Sequence, residues 1–292
     1  MTAALDPRTT PARPDLAAAH LKGVVEAERF ADPVACMACT AVAPVTARPD
    51  GTGEMTSQLL FGEPFAVYEA DGQWAWGQCG LDGYVGYVPH SCLDDPAGLG
   101  LPAPTHRVSA VSTHVYAGPD IKGRPGAALP MGARLAVAET DAGFARLAQG
   151  GFVPAQHLAP LAIPAADWVG EAERLMGAPY LWGGRSSMGL DCSGLVQLAL
   201  QAGGQDCPRD SDQQQAGLGR PLAGGERLRR GDLVFWKGHV GLMASGTRLL
   251  HANAHHMAVA AEPLSEARRR LRLAGEGEVT ARRRLDAETP AD

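Results

Sequence analysis

The sequence predicts a multidomain protein: two small all-β barrels, then an α+β domain. Three observations carry this. The first half contains one unit twice. Short alternating apolar runs within each copy are split by Gly, Pro and Asp, the pattern of a small barrel. From Ala166 the pattern changes to helical spacing followed by successive strand-like runs.

The repeat can be read directly. "PVTARPD" (Pro44–Asp50) aligns with "HVYAGPD" (His114–Asp120) at an offset of 70 residues, and Gly62 matches Gly132 and Asp71–Trp74 matches Asp141–Phe144 at the same offset. "GYVPHSCL" (Gly86–Leu93) aligns with "GFVPAQHL" (Gly151–Leu158) at an offset of 65, so the first copy carries about five extra residues near "GLDGYV". Before the repeat, Asp15 is placed to cap a short helix running to about Phe30. After it, "PLAIPA" reads as a linker.

In the C-terminal part, "DWVGEAERLMG" puts Trp168, Ala172, Leu175 and Met176 on one helical face, with Gly177 as the stop. A Gly-rich loop, "APYLWGGRSSMGLD", leads into a second helix beginning at Cys192. "GDLVFW", "HVGLMA", "RLLHA" and "MAVAAEPL" follow as strands.

Bulk properties narrow the function. The chain has 292 residues, a hydrophobic fraction of 45% and a formal net charge of −6. That charge argues against a nucleic-acid partner; Arg268–Arg270 and Arg282–Arg284 read as solvated faces. No apolar run is long enough to span a membrane. The N-terminus lacks a basic start followed by an apolar core, so a cytoplasmic location is expected. The six cysteines are then expected to be reduced. Cys36 and Cys39 form a CxxC without a second pair at zinc-site spacing, so no metal and no cofactor is expected.

Cys192 is the residue with the most chemistry. Asp191 is a good N-cap, which places Cys192 in the first helical turn. Unpaired amides and the helix dipole favour a thiolate there. A nucleophilic cysteine also needs a base, commonly histidine. His239 opens one strand and His251 ends the next. A three-residue turn at Ser245–Thr247 pairs Met243 with Leu249 and Gly241 with His251. His239 and His251 then share a face as diagonal neighbours, and Gly241 leaves room for an imidazole. A register shifted by one residue would separate them. His255 and His256 are expected to be exposed, and Cys207 to be packing.

"DCSGLV", then "GDLVFW…GHVGL", then "LLHA" resemble the motifs of NlpC-type papain-like cysteine peptidases over residues 166–285. The repeated units resemble bacterial SH3-like domains over residues 35–160. The resemblance implies the organisation: an arm and helix (1–34), two SH3-like domains (35–98 and 99–160), the peptidase domain (166–285) and a tail (286–292). It implies that Cys192 is the nucleophile, His239 the base and His251 the orienting group.

The tandem arrangement resembles the γ-D-glutamyl-L-diamino-acid endopeptidases of murein peptide recycling. The resemblance then implies a murein-derived peptide substrate with a free N-terminal L-alanine. It implies that the first SH3-like domain covers one end of the cleft, and that Tyr84 and Asp191 bind the amine, with Glu63 contributing. Tyr180, Ser193, Asp210 and Ser211 match further cleft residues. Each has a plainer reading beside it: Tyr84 as a barrel residue, Asp191 as only a helix cap, Glu63 as a solvated turn residue. Two other functions compete: an exported hydrolase of intact wall, and a non-catalytic wall-binding adaptor.

Overall fold

The computed structural model describes residues 5–285; the expected tail, 286–292, lies outside them. The chain forms two units, residues 1–163 and 164–292.

In the first unit, a seven-stranded antiparallel sheet runs in the order Met55–Leu60, Val42–Thr46, Val85–Pro89, Trp74–Cys79, Pro64–Ala70, Val34–Ala38, Leu93–Asp94. Residues 106–160 repeat this order in two pieces. Five strands run Pro125–Pro130, Ser112–Tyr116, Phe152–Pro154, Phe144–Leu147, Val137–Asp141, and three run Arg134–Leu135, His106–Val108, Leu158–Pro160. Val42–Thr46 and Ser112–Tyr116, and Met55–Leu60 and Pro125–Pro130, stand at the offset of 70 seen in the sequence. Alternation puts Ala43, Val45, Leu59, Phe65, Val67, Ala75 and Val88 in one core. Val108, Leu129, Leu135, Leu147 and Val153 form the other. The two sets meet where the Arg134 amide donates to the Phe61 carbonyl at 2.7 Å.

The helix expected from Asp15 to Phe30 is not formed. Leu16–Ala18 is a strand paired in parallel with Arg29–Ala31, and only Ala19–Leu21 is helical, as a 3₁₀ turn. The Asp15 carboxylate accepts from Arg13 instead of capping. Leu16 and Ala18 are fully buried against Tyr68 and Trp76. Tertiary packing overrides a weak local preference here.

In the second unit, α1 (Trp168–Glu173) is capped by the Asp167 side chain, which accepts from the Gly170 amide. It stops at Glu173, so Met176 is exposed, not packed with Ala172 and Leu175. Helix α2 (Cys192–Ala202) is buried on nearly every side. It packs on the strands His239–Met243 and Arg248–Asn253 of a six-stranded sheet. The order there is Arg220–Pro221, Ala281–Arg284, Leu233–Trp236, His239–Met243, Arg248–Asn253, Ala258–Pro263, all antiparallel. Helix α3 (Ser211–Gly217) follows a loop carrying Cys207–Asp210, and α4 (Leu264–Leu273) follows the last-named strand directly. Ala267 and Leu271 of α4 join Val234, Trp236, Met243 and Leu249 in a core on the sheet.

The start of α2 sits against the Gly-rich loop because Gly194 has no side chain. A Cβ there would stand 2.2 Å from the Gly184 carbonyl oxygen, a backbone atom that cannot yield cheaply. Gly194→Ala is expected to destabilise the protein by about 1–3 kcal/mol or more. Thermal melts of both proteins check this; an unchanged Tm would contradict the close approach.

Candidate active site

Helix α2 starts at a buried carboxylate with many donors. Asp191 Oδ1 accepts from the Gly194 amide at 2.7 Å, the Ser193 hydroxyl at 3.3 Å and Arg209 at 3.0 Å. Its Oδ2 accepts from the Gly183 amide at 3.0 Å and from Arg209 at 2.5 Å. Arg209 is 1% exposed, so this is a buried, bidentate pair. Such a pair holds position firmly, because losing one partner strands the other charge. It fixes the Gly-rich loop, the first turn of α2 and the loop before α3 to one point. Gln214 of α3 adds hydrogen bonds to the Ser193 and Pro208 carbonyls at 3.0 and 2.9 Å.

Cys192 is the first residue of α2 and is buried. Its sulfur is turned toward the backbone amides of Ser193 and Val240, the latter next to His239. The helix that carries the cysteine and the strand that carries the histidine thus pack together. The resting thiol differs from the sequence expectation of a thiolate. Burial, reinforced by the Asp191 charge, pushes it up to about 12, against the opposing pull of the Val240 amide, Arg209 and the Ser193 amide. The helix start favours an anion, but desolvation outweighs it.

The histidines meet as the hairpin register requires. Met243 pairs with Leu249 and Leu242 with Leu250, and the Ala244 amide donates to the Arg248 carbonyl at 2.9 Å. His239 Nε2 and His251 Nδ1 are 2.8 Å apart. A Cβ on Gly241 would lie 2.7 Å from Leu249 and 3.1 Å from the His251 Cβ, so only glycine leaves this space. His251 is fully buried. Burial, with His251 and Arg270 adding to it, pushes His239 down to about 3. His251 is also lowered, by burial against the opposing effect of Glu262.

Beyond His251 stand two residues that the sequence reading missed. His251 Nε2 is 2.9 Å from Glu262 Oε1, and Arg270 of α4 pairs with the same oxygen. The His251 bond first, and then Arg270, hold Glu262 down at about 2. Strand alternation could have found Glu262. It lies opposite Leu249, diagonal to His251 on the same sheet face.

The remaining residues fall in two groups. Near Cys192, Tyr180 is half-buried and pushed up to about 12 by burial, Cys192 and Asp191. Ser193 is buried and accepts from Arg209 at 3.0 Å. Asp210 caps α3 in a capping box with Gln213, and Ser211 is the first residue of α3. Tyr84 and Glu63 belong to the first unit. Tyr84 packs in the core of its seven-stranded sheet. Glu63 is 2% exposed and its Oε2 accepts from the Leu60 amide at 3.0 Å, so it is a buried turn residue, not a solvated one. His255 and His256 are exposed and Cys207 is buried, as the sequence suggested. His251, His256 and Glu262 place ligand atoms within 4.8 Å of one another; that carboxylate already holds Arg270.

Residues 177–275 match the NlpC/P60 family model, and residues 45–93 match the bacterial dipeptidyl-peptidase Sh3 domain. The second unit carries an NlpC/P60 domain. The chain is 40% identical over 107 residues to a γ-D-glutamyl-L-lysine dipeptidyl-peptidase of Bacillus subtilis, covering 31% of this chain and 35% of that one. It is 38% identical over 94 residues to a γ-DL-glutamyl hydrolase of the same organism, covering 29% and 22%. The matches thus span about a third or less of those relatives' length. The crystal structure of an NlpC/P60 family protein from Bacillus cereus has the same fold, with a TM-score of 0.72, 20% identity, and 86% and 99% of the two chains covered.

The histidine shift makes stability depend on pH in a defined direction. A neutral His239 that resists protonation stabilises the fold fully above its ordinary value of 6.5, and this is lost as pH falls toward about 3. At pH near 4.5 the loss is of order 2–3 kcal/mol. Tm measured between neutral pH and about pH 4.5 should fall, and His239→Gln should flatten the curve. Equal slopes for the two proteins would contradict a buried neutral imidazole.

Proposed function

We propose that this chain is a cysteine endopeptidase that hydrolyses the γ-D-glutamyl–L-diamino-acid bond of murein peptides bearing a free N-terminal L-alanine, in the recycling of wall peptides. The observation that carries the reading is the ordered imidazole pair of His239 and His251, on the strands against which the helix that starts at Cys192 packs. In this mechanism His239 accepts the Cys192 thiol proton as sulfur attacks the γ-carbonyl carbon of D-glutamate. The tetrahedral intermediate collapses, the C–N bond breaks, and the diamino acid's amine leaves with the proton from His239. A water molecule, deprotonated by His239, then hydrolyses the thioester and restores the thiol. His251 orients His239 throughout.

The neutral resting pair fits this sequence of steps. Proton transfer accompanies attack instead of preceding it, and a buried ion pair does not have to be maintained between turnovers. The γ-glutamyl specificity named for the Bacillus subtilis relatives supports the choice of bond.

We assign the second strand set, residues 99–160, as a second SH3-like domain, on its matching strand order. We assign Tyr84, with Glu63, to recognition of the substrate amine. Asp191 shares that task through a carboxylate already engaged by Arg209, and Tyr180, Ser193, Asp210 and Ser211 line the cleft. The proposed location is the cytoplasm, where free peptides are recycled.

Cys192→Ala should abolish hydrolysis of L-Ala-γ-D-Glu-diamino-acid tripeptide while circular dichroism stays unchanged. His239→Ala should cost about 10²–10⁴-fold, and His251→Ala less. Retained activity in Cys192→Ala would overturn the mechanism. Acetylating the tripeptide's amine should lower turnover by about 10–150-fold, the loss of one charged hydrogen bond at roughly 1.5–3 kcal/mol. Equal rates on the free and acetylated peptides would refute amine recognition and favour a hydrolase of intact wall.

A further inference from the structure

An imidazole acts as a base only through the ring nitrogen that carries no hydrogen, and two bonded imidazoles can be polarised in either direction. We propose that Glu262, held by Arg270, is a positioning residue that sets the direction of the histidine relay and makes Nδ1 of His239 the basic atom. This rests on the reading of His239 as the general base.

The geometry allows one assignment once Glu262 is ionised. A carboxylate only accepts hydrogen bonds, so the 2.9 Å contact places a hydrogen on His251 Nε2. In a neutral imidazole His251 Nδ1 is then a lone pair. It stands 2.8 Å from His239 Nε2, which must therefore carry a hydrogen and donate. The lone pair of His239 is left on Nδ1. The reverse polarity would put the hydrogen on His239 Nδ1, leaving no acceptor there for the Cys192 proton.

Arg270 contributes in two ways. It pairs with the same Glu262 oxygen that His251 uses, which fixes that atom in place. It also keeps the carboxylate ionised next to a buried imidazole. The polypeptide supplies both partners economically. Glu262 is near the end of the Ala258–Pro263 strand, and α4 starts immediately after it and returns Arg270 to the carboxylate. Among the described residues, the charged or titratable groups that act on the two imidazoles are Glu262 of the neighbouring strand, Arg270 of α4 and His256 of the turn.

When His239 accepts the thiol proton on Nδ1, its Nε2–H bond to His251 is unchanged. No proton moves along the relay. Glu262 remains an anion and stabilises the new imidazolium through His251, as a buried carboxylate does behind a general-base histidine.

The test uses the full chain with Cys192→Ala, labelled with ¹⁵N-histidine. Long-range ¹H–¹⁵N spectra near neutral pH report which ring nitrogen carries hydrogen, and His239→Asn and His251→Asn assign the two rings. Both should be neutral Nε2–H tautomers. Adding Glu262→Ala should let both rings populate Nδ1–H. Glu262→Gln should keep the Nε2–H pattern, because Arg270 still draws the amide oxygen to the same place. With Cys192 present, Glu262→Ala should lower kcat about 10–100-fold with KM changed less than about 2-fold, and Glu262→Gln, which restores the hydrogen bond without the charge, should recover part of that loss. An Nδ1–H signal from His239 with Glu262 intact would overturn the proposal. Tautomers unmoved by Glu262→Ala would do so too, as would Glu262→Gln no better than Glu262→Ala. Should Glu262→Ala fail to fold, the spectra with Glu262 intact and with Glu262→Gln decide the matter. The spectra need no hydrolysis, so a protein that does not cut the tripeptide would count against the peptidase reading alone.

Discussion

Five hydrogen bonds converge on the carboxylate of Asp191, from Gly183, Ser193, Gly194 and twice from Arg209. The donors come from three separate segments, and the carboxylate and its guanidinium partner are both buried. A buried ion pair of this kind adds little net stability over well-packed apolar groups, but breaking it by removing one partner costs about 3–5 kcal/mol. Its value is positional. The carboxylate caps α2 and so fixes the backbone that carries Cys192. The same charge, together with burial, keeps the thiol protonated at rest.

The sheet supplies the complementary half. The hairpin register puts His239 and His251 on one face, and Gly241 removes the side chain that would stand between them. Burial lowers both imidazoles, His239 to about 3, and the Glu262–Arg270 pair stands behind them. Cysteine comes from the first residue of a helix and histidine from a strand, and α2 packs directly on that strand. The parts approach closely where they join, at Gly194 against Gly184 and at the Val240 amide beside the sulfur.

Much of this was legible in the sequence. The duplicated strand order followed from two residue offsets. The His239–His251 contact followed from strand alternation and a short turn, since a register shifted by one residue would put them on opposite faces. Asp191 was visible as a cap because capping is local. What escaped notice was non-local. Arg209 lies in an irregular loop with no periodicity to aim it, and Arg270 reaches Glu262 only through the docking of α4. The thiol was misjudged for a related reason: a helix start is a local cue for an anion, whereas desolvation depends on everything packed around it. Asp15 failed in the same way, because the burial of Leu16 and Ala18 outweighed a local helix signal.

The account turns on Cys192 as the atom that attacks, and a trapped intermediate tests that most directly. The full chain is mixed with L-Ala-γ-D-Glu-diamino-acid tripeptide, quenched in acid during turnover and mapped by peptide mass spectrometry. The account predicts an L-Ala-D-Glu acyl group on the peptide containing Cys192, as a thioester that hydroxylamine removes. Continued turnover with the acyl group on another residue, or with none detected under conditions where a thioester would persist, would contradict it.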